Sequence, residues 1–163
     1  MKVAVFIGSE SDLDVARGAI DVLKGFGIPF ALEVTSAHRS PERTVHLVQE
    51  MEKKGCQVFI AMAGKAAHLA GVVASKTLKP VIGVPVGGAT LTGLDALLST
   101  VQMPQGVPVA CMGIGQPGAV NAALLAVRIL SLDDGELRDK LVDERNRMAV
   151  QVEESSRKVK ESL

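Results

Sequence analysis

The chain has 163 residues, 47% of them apolar, which excludes disorder and suffices for one domain with a proper core. Eighteen basic residues balance eighteen acidic ones, and four Phe stand with no Tyr or Trp. The basic excess of a nucleic-acid binder is therefore missing and its stacking platforms are nearly absent, and no apolar run reaches the roughly 20 residues of a membrane span.

Strand and helix alternate along the chain. The opening MKVAVFIGSESD passes from one Lys and a short apolar run to Gly and acid, which reads as a first strand rather than a leader. Val3 to Ile7, closed by Gly8, fits a buried parallel strand. Asp12 to Phe26 carries Leu13, Ala16, Ile20 and Leu23 at helical spacing and is stopped by Gly27. Pro29 to Val34 reads as a second strand. Ser40-Pro41 then looks like an N-cap with Pro at the first helical position, opening a helix to about Lys54. Further strands are expected at Val58 to Ala63, Val81 to Val86 and Val107 to Met112, with helices near 66–76, 93–101 and 117–131. Such alternation predicts an α/β fold: a three-layer, doubly wound parallel sheet of five strands in flavodoxin-like order.

Residues 133–163 differ in composition. Sixteen of these 31 residues are charged, yet Leu137, Leu141, Met148, Val152, Val159 and Leu163 keep a helical period. The expected division is a catalytic α/β domain over 1–132 and a long amphipathic C-terminal helix over 133–163. That helix packs either on its own domain or on a neighbouring subunit. Cys56 and Cys111 lie in apolar surroundings and read as two buried thiols in a reducing cytoplasm. Two distant Cys and three His at these spacings assemble no metal site.

Ligands of an open parallel sheet bind beyond the carboxyl ends of its strands, so the loops there are the candidate site. The first, Gly8-Ser9-Glu10-Ser11-Asp12, opens a helix where free N–H groups favour an anion, while Asp12 suits a ribose hydroxyl. The same residues could simply cap the helix. The second, Ser36-Ala37-His38-Arg39-Ser40-Pro41, sets a proton carrier beside a fork for phosphate or carboxylate. His46 on the following helix reads as a surface residue. The third, Ala63-Gly64-Lys65-Ala66-Ala67-His68-Leu69-Ala70-Gly71, lets a ligand approach the backbone, with Lys65 and His68 its only large polar groups. His68 could be a catalyst, a pocket support or a packed core residue. The fourth, Pro85 to Gly93, could close over a ligand.

GSESD at 8–12, SAHRSP at 36–41, AGKAAHLAG at 63–71, PVIGVPV at 80–86 and GLDALLSTVQMPQGVPV at 93–109 together resemble the PurE family of purine biosynthesis, over about residues 3 to 131. The resemblance implies a mutase that moves a carboxyl group from the exocyclic nitrogen of N5-carboxyaminoimidazole ribonucleotide to C4 of its ring. It implies no cofactor, a cytoplasmic homo-octamer, and no partner beyond a small ribonucleotide substrate. By family match His38 is the general acid/base, and Ser9, Asp12 and Arg39 bind the ribose phosphate portion. Ser36, Gly64, Lys65, Ala66 and His68 complete the expected substrate-binding set. Released CO₂ must be trapped, so the small residues of 63–71 are expected to form a dry pocket.

Two positions depart from the family pattern: Lys65 stands where Gly is usual, and Ala70 where Pro is usual. A basic residue near position 65 marks a related class that carboxylates aminoimidazole ribonucleotide directly with CO₂. The remaining motifs are mutase-like. A non-catalytic nucleotide-binding module on the same sheet is the other alternative.

Overall fold

The computed structural model describes residues 1–88 and 91–163. In the unit Met1–Val127, five parallel strands form one sheet. They are β1 (Val3–Ile7), β2 (Phe30–Val34), β3 (Val58–Gly64), β4 (Val81–Val86) and β5 (Ala110–Cys111), in the order β2-β1-β3-β4-β5. This is the flavodoxin-like order expected. Helices α1 (Leu13–Gly25), α2 (Pro41–Lys53), α3 (Leu69–Ala74), α4 (Leu94–Val101) and α5 (Gln116–Leu130) accompany them.

β1, β3 and β4 are near-continuous apolar runs because both faces of the sheet are covered there. Ala4, Phe6, Phe59, Ala61 and Val81 join Leu47, Val48 and Met51 of α2 and Leu69, Ala70 and Val73 of α3 in one cluster. Phe6 and Phe59 meet there as a tilted pair with ring centroids 5.7 Å apart. The alternate residues Val3, Val5, Ile7, Val58, Ile60 and Met62 are buried as well, so the opposite face is equally dry. Each such side chain contributes about 1.5–3 kcal/mol by leaving water.

The register sets the height of the loops. Ile7 is level with Val34 and Met62, and Met62 with Val84. The ladder continues past the strand ends: Gly8 donates its N–H to the Met62 carbonyl and Thr35 to that of Ile7, each at 2.9 Å. Four loops therefore leave the sheet along one edge.

Two elements are shorter than expected. The strand predicted over Val107 to Met112 pairs with β4 only at Ala110 and Cys111. Pro108 has no N–H to give, Gly106 turns at φ 95°, and an edge strand has one neighbour. The helix predicted near 66–76 is reduced to α3, because Lys65 turns at φ 56° and His68 bonds back to the Ala66 carbonyl at 2.8 Å. Of the two cysteines only Cys56 is buried; Cys111 is half-buried. Burial pushes both thiols above their usual range.

Arg128–Leu163 is the second unit. Its helix α6 (Gly135–Glu161) is capped by Asp134, whose side chain accepts the Leu137 N–H at 3.2 Å. Glu136–Lys140 and Glu144–Arg147 pairs lie along it. Leu137 is buried, whereas Val142, Met148, Val150, Val152 and Val159 are exposed.

Gly83 tests the packing of the sheet. A Cβ there would lie 2.4 Å from Thr100 Cγ2 and 3.2 Å from Ala70 Cβ. Thr100 is buried and its hydroxyl is tied to the Ala96 carbonyl at 2.7 Å, so it cannot swing aside without losing that bond. Gly83→Ala is expected to destabilise the protein by about 1–3 kcal/mol, as overpacked cores do, and a urea unfolding curve will read it.

Candidate active site

The four loops surround a cavity of about 610 Å³. Every residue expected from the sequence lines it: Ser9 and Asp12 from the first loop, Ser36, His38 and Arg39 from the second, Gly64, Lys65, Ala66 and His68 from the third. Gly8 and Gly64 make room at the strand ends. A Cβ on Gly8 would sit 3.3 Å from the Asp12 carboxylate, and one on Gly64 would sit 3.1 Å from the Val86 carbonyl oxygen.

The first loop forms a single 3₁₀ turn, Glu10–Asp12, so α1 begins one residue later than the sequence suggests. Asp12 accepts the Ser9 N–H at 3.1 Å, and the Ser9 and Ser11 hydroxyls are 2.6 Å apart. Capping and cavity lining are thus properties of the same carboxylate. Asp12 is only 8% exposed. Burial pushes its carboxyl above the ordinary value, against hydrogen bonds from Ser9, Ser11 and Gly8 that pull it down.

The second loop is tied by short-range bonds. Ser40 Oγ accepts the Ser36 N–H and donates to the Ser36 carbonyl, both at 3.2 Å. Thr35 and Thr44 share a buried hydroxyl bond of 2.8 Å beneath it. Ser36 Oγ accepts from the Arg39 N–H at 3.2 Å and from Arg39 Nε at 3.4 Å. Arg39 Nη2 donates to the Gly8 carbonyl at 3.3 Å. Ser36 therefore aims Arg39 across the end of β1. His46 points away, exposed, with Glu50 at 4.0 Å.

The second and third loops meet through their histidines. His38 Nε2 and His68 Nδ1 are 2.8 Å apart, with the rings edge to face. Nothing in the spacing of two residues thirty positions apart announces this contact. It arises because β2 and β3 flank β1, whose own loop is short enough for the neighbours to reach across. Nδ1 of His38 has no partner among the described residues and is left for a ligand.

Ser11, Ala37, Leu69, Val86, Gly87 and Gly88 also line the cavity, without having been singled out as site residues. Their signal was position alone, since each lies at or near a strand's carboxyl end. The expectation that residues 85–93 close over a ligand falls partly on Ala89 and Thr90, outside the described residues. The dry pocket expected from the small residues is not formed within one chain, for Lys65, Ala66 and His68 are exposed, as are His38 and Arg39.

Known proteins are similar to this chain in sequence and fold. A model of the AIR carboxylase family matches residues 2–151. The N5-carboxyaminoimidazole ribonucleotide mutase of Saccharolobus solfataricus is 56% identical over 140 residues, 86% of this chain and 87% of that protein. The mutase of Methanocaldococcus jannaschii is 53% identical over 160 residues, 98% of each chain. Among solved structures, Treponema denticola PurE superposes with a TM-score of 0.85 at 32% identity, covering 93% of this chain and 94% of that one.

The raised Asp12 carboxyl has a consequence for stability. The folded state holds the Asp12 proton more tightly than the unfolded chain does, so its contribution to stability is lost as pH rises through the unfolded value of 3.8 toward the folded one. Asp12→Asn does not titrate, and its Oδ1 can still accept the Ser9 N–H. Its stability relative to the parent is expected to rise between pH 4 and pH 7, as read from urea midpoints at the two pH values.

Proposed function

The chain belongs to the AIR carboxylase family, and on that premise we propose that it converts N5-carboxyaminoimidazole ribonucleotide to 4-carboxy-5-aminoimidazole ribonucleotide, a step of purine biosynthesis. The observation that carries this reading is the His38–His68 contact inside a cavity that also presents Arg39 and Asp12.

The chemistry needs one group that first gives and then takes a proton. The N–C bond of the carboxylated amine breaks, its electron pair returns to nitrogen, and CO₂ leaves as His38 protonates that nitrogen through Nδ1. C4 of the aminoimidazole is enamine-like and attacks CO₂ with its own electron pair. Neutral His38 Nδ1 then removes the C4 proton, which restores the aromatic ring and the starting imidazolium. No electron or proton is left over, so no cofactor is called for.

His68 holds His38 through this cycle. With His38 Nε2–H donated to His68 Nδ1, the reactive nitrogen is always Nδ1, and a neutral acceptor stands ready for the imidazolium. Arg39, aimed by Ser36, and the Ser9 hydroxyl suit the phosphate; Asp12 accepts from a ribose hydroxyl.

Assembly as a cytoplasmic homo-octamer fits the same reading. CO₂ must be kept from water, yet one chain leaves His38, Lys65 and His68 exposed. Identical copies would also bury Leu94, Leu98 and Val101 of α4 and the exposed apolar residues of α6. A light-scattering mass of eight chains is the expected result, and a monomer mass overturns it.

Two parallel assays without ATP test the activity. One supplies N5-carboxyaminoimidazole ribonucleotide in bicarbonate-free buffer; the other supplies aminoimidazole ribonucleotide with bicarbonate and carbonic anhydrase. Efficient turnover in the first is expected, while turnover in the second alone makes the protein a CO₂-dependent carboxylase. His38→Asn should lower kcat by about 10²–10⁴-fold, the usual worth of a general acid/base. His68→Ala should lower kcat less, because His38 keeps its proton-carrying Nδ1 and loses only the neighbour that orients its ring. Ligand binding without turnover in the unsubstituted protein sinks the enzymatic reading.

A further inference from the structure

Lys65 holds a backbone conformation that costs energy and repays none of it within the chain. It turns at φ 56°, in the left-handed region, one of two non-glycine residues to do so among those described. A side chain there costs about 1 kcal/mol relative to glycine. The turn itself is forced, since Gly64 ends β3 against the Val86 carbonyl and the chain must then reach His68. The side chain is not forced. It is exposed and has no hydrogen bond or ion pair among the described residues. It does line the cavity, beside His68. A strained, unpartnered cation inside a binding cavity points to a partner that is not part of the chain.

The charges of the cavity indicate which partner. Arg39 and Lys65 are the strong cations lining it, and Asp12 is the acid. Arg39 is committed to one end, bound to Gly8 and Ser36 at the tips of β1 and β2. Lys65 enters from β3, on the other side of β1 from the loop that carries Arg39. A ligand with its phosphate on Arg39 therefore brings the far edge of its ring toward Lys65, past the paired histidines. On the mutase reading, that edge carries the substrate's second anion.

We infer that Lys65 selects the carboxylated ribonucleotide, its ammonium taking the carboxylate of substrate and of product while Arg39 takes the phosphate. The two carboxylates sit on neighbouring positions of the ring, within reach of one flexible side chain. The species between them is neutral CO₂, which the ammonium does not hold. Lys65 thus stabilises the two end states alike and discriminates against the bare aminoimidazole ribonucleotide. Its removal shows in KM and product affinity more than in kcat.

This inference rests on the mutase reading, and one set of measurements separates the two. Lys65→Gly suits the backbone angle and Lys65→Met keeps the stem without the charge, so neither should harm folding. Calorimetry gives the affinities of each full-length variant for 4-carboxy-5-aminoimidazole ribonucleotide and for aminoimidazole ribonucleotide; steady-state assays give KM and kcat. Loss of one charge-assisted contact should weaken the carboxylated ligand and raise KM by about tenfold, leaving the bare ligand within about twofold. Lys65→Arg should retain the preference. Equal weakening of both ligands assigns Lys65 to the phosphate and overturns the inference, as does no change in either, or a loss confined to kcat. If the unsubstituted protein fails to turn over N5-carboxyaminoimidazole ribonucleotide, the mutase reading falls. If it turns over and the preference does not move in the variants, the inference alone falls.

Discussion

The level parallel register of β1, β2, β3 and β4 is the constraint on which the site depends. A one-residue slip of any of these strands would turn every side chain to the other face. The close packing of the buried side chains of β1, β3 and β4 opposes such a slip, and the ladder to β1 holds the half-buried β2 level. Because Ile7, Val34, Met62 and Val84 are held level, the loops that follow them start at one height and reach one another. His38 and His68 share a hydrogen bond only because the strands beneath them cannot slide.

On that base the loops are made stiff by local means. Thr35 and Thr44 tie the second loop to α2 from below, and the reciprocal Ser36–Ser40 bonds tie it from within. Arg39 is then fixed twice more, by Ser36 and by the Gly8 carbonyl. A guanidinium ordered before its ligand arrives loses less entropy on binding. Asp12 follows a different logic. It is buried against its own electrostatic preference, and only part of that cost is offset by the Ser9, Ser11 and Gly8 hydrogen bonds. An acid held at such a cost in a ligand cavity is the usual trade of stability for function.

Much of this was legible in the sequence because it rests on short-range signals. Apolar runs closed by Gly marked β1, β3 and β4, Ser40-Pro41 marked the start of α2, and strand–helix alternation implied the order of the sheet. The candidate residues followed from one rule, that ligands sit beyond the carboxyl ends of parallel strands. What stayed hidden depends on geometry between distant segments. The shortening of β5 reflects an edge position together with Pro108 and Gly106. That Ser36 aims Arg39 is a matter of side-chain direction, which spacing does not reveal. Nor could the pattern of small residues in 63–71 show that they enclose no dry space within one chain.

The openness of the cavity bears on how the chemistry is shared. A carboxyl group that leaves one atom and returns to its neighbour as CO₂ passes through a species with no charge for the site to hold. Retention must then come from walls and speed, whereas recognition can come only from the charged end states. The residues divide along that line. In the proposed mechanism Arg39, Asp12 and Lys65 recognise the ligand's polar groups, and His38, held by His68, carries the proton. A rigid sheet edge with a mobile proton and fixed ions around it suits a reaction whose substrate and product differ only in where one carboxylate is attached.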